Sequence, residues 1–182
     1  MTKQAAKAES HKYHKPEINI KNGSKNFNLN NTKQLFLIAG PCVVESEKLT
    51  FETAQRLKAI AQKLDIPFIF KASYKKANRT SGTSFRSIGV VESLTILGNI
   101  REKLKIPVLT DIHSEVEAEI AAEFVDVLQI PAFLCRQTEL LESAAETGKI
   151  INIKKGQFLS PDDMIFPINK VKEAGNNKIM VT

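Results

Sequence analysis

The strongest constraint on the fold is an alternation that begins at residue 35, where short apolar runs are separated by longer amphipathic segments. The runs are apolar throughout, as expected for parallel strands that are covered on both faces. The six strand candidates are 35–39, 67–71, 107–110, 125–130, 150–153 and 178–181. The five helix candidates are 47–64, 90–104, 114–124, 138–147 and 161–174. This pattern predicts an α/β chain built on a parallel sheet.

Two parallel architectures fit such repeats: a doubly wound sheet and a closed barrel. The segment after the first strand, Ala39-Gly40-Pro41-Cys42, is neither a dinucleotide-binding fingerprint nor a P-loop. Polar residues follow every predicted strand instead of one switch point, which favours a (β/α)8 TIM barrel. Such a barrel takes roughly 250 residues, whereas this chain has 182. We therefore expect only the first six strands and five helices, with about two βα units missing.

The residues ahead of the alternation divide into two parts. Residues 1–16 hold four Lys against one Glu, and we expect this basic tail to be disordered. In residues 17–34, apolar positions such as Ile18 and Ile20 alternate with polar ones on both sides of a Gly-Ser turn. That pattern predicts a β-hairpin, which we expect to act as an accessory lid. We expect residues 35–182 to form a single domain, the partial barrel.

Composition and patterning argue against several classes of protein. No apolar run approaches the length of a membrane span, and the N-terminus lacks the apolar core of a secretory signal. The two cysteines, Cys42 and Cys135, lack the spacing of a disulfide framework or a structural zinc site. The basic tail also lacks the aromatic or base-reading groups of a nucleic-acid-binding stripe. We expect a cytoplasmic protein that binds neither membranes nor nucleic acids.

Charged and polar side chains follow the predicted strands at their C-terminal ends, where α/β barrels build their active sites. Taken singly, each has an ordinary structural explanation: a lysine is usually a solvated surface residue, and a lone cysteine is usually a small buried hydrophobe. Their convergence on one mouth favours substrates that carry phosphate and carboxylate groups. This predicted mouth comprises Cys42, Lys71, Lys76, Arg79, Asp111, His113, Gln129, Lys154 and Lys155.

Six longer segments surround these positions and carry a family resemblance. They are IAGPCVVES (38–46), FIFKASYKKANRTS (68–81), SFR (84–86), PVLTDIH (107–113), DVLQIPAFLCRQTELL (126–141) and INIKKGQFLSP (151–161). Together they closely resemble the 3-deoxy-8-phosphooctulonate (KDO-8-phosphate) synthases, and the fifth segment and the KANR stretch are the most specific. The resemblance implies a (β/α)8 barrel, usually a homotetramer, that condenses phosphoenolpyruvate with D-arabinose 5-phosphate. The product, 3-deoxy-D-manno-octulosonate 8-phosphate, feeds KDO and lipopolysaccharide biosynthesis.

The resemblance also implies roles for individual residues. Lys71 and Lys76 would hold the carboxylate end of phosphoenolpyruvate, and Lys154 would hold its phosphate. Arabinose 5-phosphate would contact the segment that follows Lys76, with Arg79 on the sugar phosphate. The residues placed on that second substrate are Asn78, Arg79, Thr80 and Ser81. The residues that would line the mouth are Gln129, Ala132 and Gln157. The residues predicted to be catalytic are Lys71, Lys76, Asn78 and Asp111.

Cys42 matches the position that is a thiolate ligand in the metal-dependent branch of the family, where the other branch has Asn. The resemblance thus implies a divalent metal ion, with its other ligands outside this chain, and no organic cofactor. Two departures from the family pattern are Thr80 in place of Ser and Lys75 in place of an acidic residue. Because a phosphate-binding Arg and three further metal ligands of the family are also missing, we expect the 182-residue chain alone not to be a competent synthase.

Two other functions fit part of the pattern. A 3-deoxy-7-phosphoheptulonate synthase-like enzyme shares the fold and phosphoenolpyruvate, but its motif usually has Pro before the arginine that corresponds to Arg79. This chain has Asn78 there. The second alternative is a truncated, non-catalytic chain that binds phosphorylated ligands or partner subunits without turnover.

Overall fold

The structure is a computed structural model, and it describes residues 18–22, 25–29, 35–77, 79, 81 and 83–182. The predicted disordered tail of residues 1–16 lies outside the described residues. So do two of the predicted substrate-binding residues, Asn78 and Thr80.

The described residues form eight strands, which belong to two separate sheets. Strands β1 (Asn19–Asn22) and β2 (Lys25–Asn28) pair antiparallel, which confirms the predicted N-terminal hairpin. The other strands form one parallel sheet. They are β3 (Leu37–Ala39), β4 (Phe68–Lys71), β5 (Val108–Asp111), β6 (Val127–Ile130), β7 (Ile150–Ile153) and β8 (Ile179–Val181).

Five α-helices connect the parallel strands of the described chain, one after each strand from β3 to β7. They are α1 (Glu47–Lys63), α2 (Val90–Leu104), α3 (Glu115–Phe124), α4 (Thr138–Glu146) and α5 (Ile165–Glu173). Ser114 caps α3, since its hydroxyl accepts a hydrogen bond from the backbone of Glu117. Gly175, with a φ of 90°, ends α5 in the left-handed region that glycine favours.

The strand order settles the choice between the two parallel architectures. Strands β3 to β8 lie side by side in chain order, without the reversal that defines a doubly wound sheet. Six parallel strands with five connecting helices are the arrangement of a partial (β/α)8 barrel, as predicted. The bounds also agree closely, and the largest change is in α5, where a 3₁₀ turn (Asp162–Met164) precedes the helix.

We call the carboxyl ends of β3–β8 the mouth and their amino ends the foot. At the foot, Ile18 and Ile20 of the hairpin join a buried apolar cluster with Ile69, Leu109, Val127, Ile150 and Met180, which all lie in the first half of their strands. A cavity of about 800 Å³ separates β1 from the segments that lead into β5–β8. The hairpin, which we expected to act as an accessory lid, therefore covers with its apolar side the end of the sheet opposite the mouth.

Among the described residues, no helix has both the length and the apolar character needed to cross a membrane.

Candidate functional site

Asp111 is the centre of a buried polar network at the mouth. It ends β5 and is 7% exposed. Its carboxylate accepts a hydrogen bond from Ser73 and lies 4.0 Å from the Lys71 ammonium and 3.6 Å from the Lys76 ammonium. Both lysines also donate to the Ser73 hydroxyl, over 2.9 Å and 2.7 Å respectively. Two cations, one anion and one hydroxyl thus occupy a single partly desolvated site.

The network continues along the sheet because the register places polar side chains opposite one another. Asp111 is paired with Gln129, and Gln129 is paired with Asn152. Gln129 donates from Nε2 to Asp111, and Asn152 donates from Nδ2 to Gln129 Oε1 over 2.9 Å and to Thr182 Oγ1 over 3.3 Å. These bonds fix the orientation of the Asp111 carboxylate from the side opposite the lysines.

The environment moves the pKa values of the central ion pair in a consistent way. Burial, which disfavours the charged amine, lowers the pKa of Lys71 below its usual range, and the nearby Asp111 charge opposes that shift. Burial alone would raise the pKa of Asp111, but the Lys71 charge and the Ser73 hydrogen bond hold it below its ordinary value. The carboxylate is therefore firmly ionised, while the lysines are held close together.

A close backbone contact places Lys71 at this point. Gly40 follows β3, and a Cβ atom built on it would lie 1.9 Å from the backbone oxygen of Lys71. Only glycine permits that approach. Val43 then forms a parallel bridge with Ser73, which holds the two segments together just beyond the strands.

Lys154 adds a third cation to the rim of the mouth. It directly follows β7, its backbone N–H donates to the Ile130 oxygen over 3.1 Å, and its side chain is exposed. Its charge is close enough to contribute to the lowered pKa of Lys71. Ala132 lies nearby in the 3₁₀ turn Ala132–Leu134, and Gln157 is exposed in the loop after β7.

The structure does not draw Arg79 and Ser81 into the buried network. Arg79 is exposed and donates from Nε to the Phe85 backbone oxygen over 3.0 Å. The Ser81 hydroxyl is 2.9 Å from that of Thr83. Both residues therefore lie in the outer part of the long loop between β4 and α2.

Cys42 lies two residues after Gly40, with its thiol exposed and near enough to Lys71 to affect the pKa of that amine. Within the described part of the chain, no group of three or more His, Cys, Asp or Glu side chains could hold a metal ion. The described residues therefore fit a metal only as the source of a single thiolate, from Cys42.

Two buried residues of the network were not predicted from the sequence. Ser73 is fully buried and contacts both lysines, and Asn152 is 1% exposed and contacts Gln129. Asn152 left a signal, because it is a polar residue in an otherwise apolar strand, IINI. Ser73 left none, since a hydroxyl in a loop rich in Ser and Thr is common.

The arrangement is suited to binding an anion with more than one charged group. Two ammonium groups, of Lys71 and Lys76, lie beside the Asp111 carboxylate, and that of Lys154 lies close enough to affect Lys71, so among these four groups the cations outnumber the anion by two. Fixed cations in a partly desolvated site stabilise carboxylate and phosphate groups without reorganising.

Comparisons with known proteins agree with this chemistry. The sequence model of the DAHP synthetase I family matches residues 16–182. The 2-dehydro-3-deoxyphosphooctonate aldolase of Koribacter versatilis is 53% identical over 149 residues, which are 82% of this chain and 54% of that protein. The proteins of the same name from Methylibium petroleiphilum and Burkholderia cenocepacia are 55% and 58% identical over 152 and 142 residues, or 84% and 78% of this chain and 53% and 50% of theirs.

The chain spans about half the length of the curated relatives it matches. Within that span, more than half of the residues are identical between this chain and each of these relatives. Their name denotes the same enzyme as the KDO-8-phosphate synthase that the motifs predicted, so the predicted resemblance is confirmed. The chain belongs to the DAHP synthetase I family.

Proposed function

We propose that the protein condenses phosphoenolpyruvate with D-arabinose 5-phosphate to give 3-deoxy-D-manno-octulosonate 8-phosphate and inorganic phosphate. The observation that carries this proposal is the convergence of Lys71 and Lys76 on Ser73 and Asp111, with Lys154 at the rim. The names of the relatives support the same reaction. The product would serve KDO and lipopolysaccharide biosynthesis.

Each cation of the mouth has a separate task in this proposal. Lys71 and Lys76 bind the carboxylate of phosphoenolpyruvate, and Asp111 and Ser73 hold the two ammonium groups at the correct separation. Lys154, which is exposed at the rim, binds the phosphate. The methylene carbon of the enol is then held in a fixed position for attack.

The second substrate binds further out along the mouth. Arg79 binds the phosphate of arabinose 5-phosphate, because its guanidinium can make two parallel hydrogen bonds to phosphate. The residues that we propose to contact the sugar with it are Asn78, Thr80 and Ser81. The residues that line the passage between the two substrates are Gln129, Ala132 and Gln157.

The proposed reaction forms one carbon–carbon bond. The methylene carbon of phosphoenolpyruvate bonds to the aldehyde carbon of the pentose phosphate, and the aldehyde oxygen takes up a proton to become a hydroxyl. Water adds at C2 of the former enol, the phosphate ester is cleaved, and inorganic phosphate leaves. The fixed ammonium groups stabilise the negative charge that the carboxylate and the departing phosphate carry.

We also propose that Cys42 supplies one ligand to a divalent metal ion, as its place beside Lys71 at the end of β3 suggests. Such an ion would orient the aldehyde or a water molecule. Chelation should abolish condensation, and added divalent metal should restore it. Full activity after exhaustive chelation would contradict a role for Cys42 as a metal ligand.

The proposed assembly is a homotetramer in the cytoplasm. Exposed aromatic side chains beside the mouth, among them Phe133 and Phe158, favour contact with other subunits. Both cysteines are unpaired thiols, which suits a reducing compartment. Sedimentation equilibrium would measure the assembly directly.

A 3-deoxy-7-phosphoheptulonate synthase remains the second candidate, because the matching family model bears that enzyme's abbreviated name. The deciding experiment measures phosphate release and product formation from phosphoenolpyruvate with arabinose 5-phosphate and, separately, with erythrose 4-phosphate. The proposal expects turnover with the five-carbon aldose when this sequence is joined to the remaining βα units of a barrel, since we do not expect the 182-residue chain alone to be a competent synthase. Turnover with the four-carbon aldose alone would contradict it, and turnover with neither would favour a non-catalytic binding chain.

The choice of aldose gives a second test of the proposal. Arg79→Lys should weaken mainly arabinose 5-phosphate, because lysine cannot form the two parallel hydrogen bonds. The affinity for phosphoenolpyruvate should change little. Equal losses for both substrates would contradict the role of Arg79.

A further inference from the structure

Glu117 is a carboxylate outside the mouth network that gathers donors from two segments of the chain. It lies in the first turn of α3, where Ser114 caps its backbone N–H. Its Oε2 atom accepts from the Tyr74 hydroxyl over 2.5 Å and from the His113 backbone N–H over 2.9 Å, and Nδ1 of the His113 ring lies 3.1 Å away. Its Oε1 atom accepts from the Lys75 ammonium.

The charge state of Glu117 suits a carboxylate that accepts several hydrogen bonds. Partial burial alone would raise its pKa, but the hydrogen bonds from Lys75 and Tyr74 hold the pKa below its ordinary value. The carboxylate is therefore ionised near neutral pH. A charge-assisted hydrogen bond is stronger and more directional than a neutral one.

Tyr74 links Glu117 to the backbone of the loop between β4 and α2. Its side chain is fully buried, and its backbone N–H donates to Thr110 Oγ1 over 3.3 Å. Its carbonyl accepts from the Ser87 hydroxyl over 2.7 Å, which ties the start of the long loop to its end. The ring also packs edge-on against His113, with the centroids 6.1 Å apart.

The side chains of residues 73–76 bind to two different groups of partners. Tyr74 and Lys75 bind Glu117, whereas Ser73 and Lys76 bind into the mouth network. The Lys76 backbone N–H donates to the Arg86 oxygen over 2.9 Å, so Lys76 is also tied to the far side of the loop. Glu117 therefore holds both residues that immediately precede Lys76 without touching the mouth network itself.

We propose that Glu117 is a positioning residue, which sets the place of the Lys76 ammonium in the mouth by holding Tyr74 and Lys75. The identity of the anion that Lys76 binds rests on the proposed function, but the anchoring of the segment does not. Loss of the Glu117 charge should let residues 73–87 move and should weaken phosphoenolpyruvate through Lys76 alone.

The first test measures anchoring without any ligand. Glu117→Gln keeps the size of the side chain and removes its charge, and Glu119→Gln, at an exposed position of the same helix, is the matched control. We expect amide hydrogen exchange in residues 73–87 to quicken roughly tenfold in Glu117→Gln, as the loss of one charge-assisted hydrogen bond implies. Unchanged exchange in that segment would overturn the proposal.

The second test measures phosphoenolpyruvate affinity by calorimetry in a double-mutant cycle. Glu117→Gln should weaken binding roughly tenfold in the wild-type background, and much less when Lys76 is already Ala. In a Lys154→Ala background the tenfold effect should persist. Equal effects in both backgrounds would show a general structural role and overturn the proposal. If the wild-type protein binds no phosphoenolpyruvate, the proposed function fails, while the exchange measurement still decides whether Glu117 anchors the segment.

Discussion

The two ends of the parallel sheet each hold an aspartate, buried at the mouth and half-buried at the foot, and the two carboxyl groups behave in opposite ways. Asp111 at the mouth is surrounded by Lys71, Lys76, Ser73 and Gln129, and its pKa is lowered. Asp126 at the foot precedes β6, and burial raises its pKa despite a hydrogen bond of 2.9 Å from the Val108 backbone N–H. The ionised form of an aspartate is thus stabilised at the mouth and destabilised at the foot.

The difference shows what each end is built for. At the mouth, cations are brought together at close range, at a cost in desolvation and mutual repulsion that only the central carboxylate offsets. At the foot, the hairpin and the strand ends bury apolar surface, and the charged groups lie around the edge of a cavity. We therefore propose that ligands bind at the mouth, whereas the foot contributes stability.

The largest difference between the two ends should appear in the free energy of unfolding when each carboxyl charge is removed separately. Asp111→Asn leaves Lys71 and Lys76 facing each other without a counter-charge, so the free energy of unfolding should fall by about 3 kcal/mol. Asp126→Asn keeps an acceptor for Val108 and removes a charge that burial already disfavours, so its effect should stay within about 1 kcal/mol. Urea unfolding near neutral pH measures both. Equal losses would remove the distinction between the two ends.

The foot can be tested by a substitution that should alter stability alone. Ile20 of β1 is 4% exposed within the apolar cluster, so Ile20→Ala should lower the free energy of unfolding by about 2–3 kcal/mol. Phosphoenolpyruvate affinity, measured on the folded protein, should not change. A matching loss of affinity would mean that the hairpin influences the mouth.

Two glycines sharpen the comparison through different physics. At the mouth, Gly40→Ala would push a methyl group to 1.9 Å from the Lys71 backbone oxygen, so strands β3 and β4 must separate at a cost of about 2 kcal/mol. At the foot, Gly148 has open space around it but a φ of 68°, so Gly148→Ala should cost only about 1 kcal/mol. Of the two, only the first should also weaken phosphoenolpyruvate binding, because it displaces Lys71. Thermal unfolding and calorimetry on the same samples would check both expectations.

The two carboxyl groups should also make contributions to the free energy of unfolding that change with pH in opposite directions, although this effect is smaller. The pKa of Asp111 is lower in the folded protein than its ordinary value of 3.8, so its contribution is present above that value and is lost as the pH falls through the folded pKa. The pKa of Asp126 is raised above 3.8, so its ionisation destabilises the fold at higher pH, and this cost disappears as the pH falls through the raised pKa. Differences in unfolding free energy between wild type and each Asn variant, followed from about pH 3 to about pH 7, should slope in opposite directions. Parallel slopes would contradict the assigned environments.

The sequence predicted the elements of the fold well, because both periodicities were clear. The apolar runs and helical stripes placed each parallel strand and helix within a few residues. The end of the sheet that the hairpin covers could not be read, because alternation in β1 reveals an apolar side but not the surface that it meets.

The candidate site was predicted in part from strand ends and in part, for Lys76, from the family motif. Lys71, Asp111 and Gln129 follow or close apolar strands, and the structure brings them together. Ser73 and Glu117 depend on the path of a loop and on the direction of one helix turn, which no local pattern encodes. For Arg79 the motif predicted a site residue clearly, but its side chain lies outside the buried network.

The most direct test of the account compares one lysine from each end in a calorimetric titration with phosphoenolpyruvate. Lys71 belongs to the mouth network, and Lys149 lines the cavity at the foot. The account predicts that the wild-type protein binds phosphoenolpyruvate, that Lys71→Ala weakens binding by roughly 10- to 100-fold, and that Lys149→Ala changes it by less than about twofold. No binding by the wild-type protein, or equal losses in the two variants, would contradict the claim that the carboxyl end of this sheet is the anion-binding site.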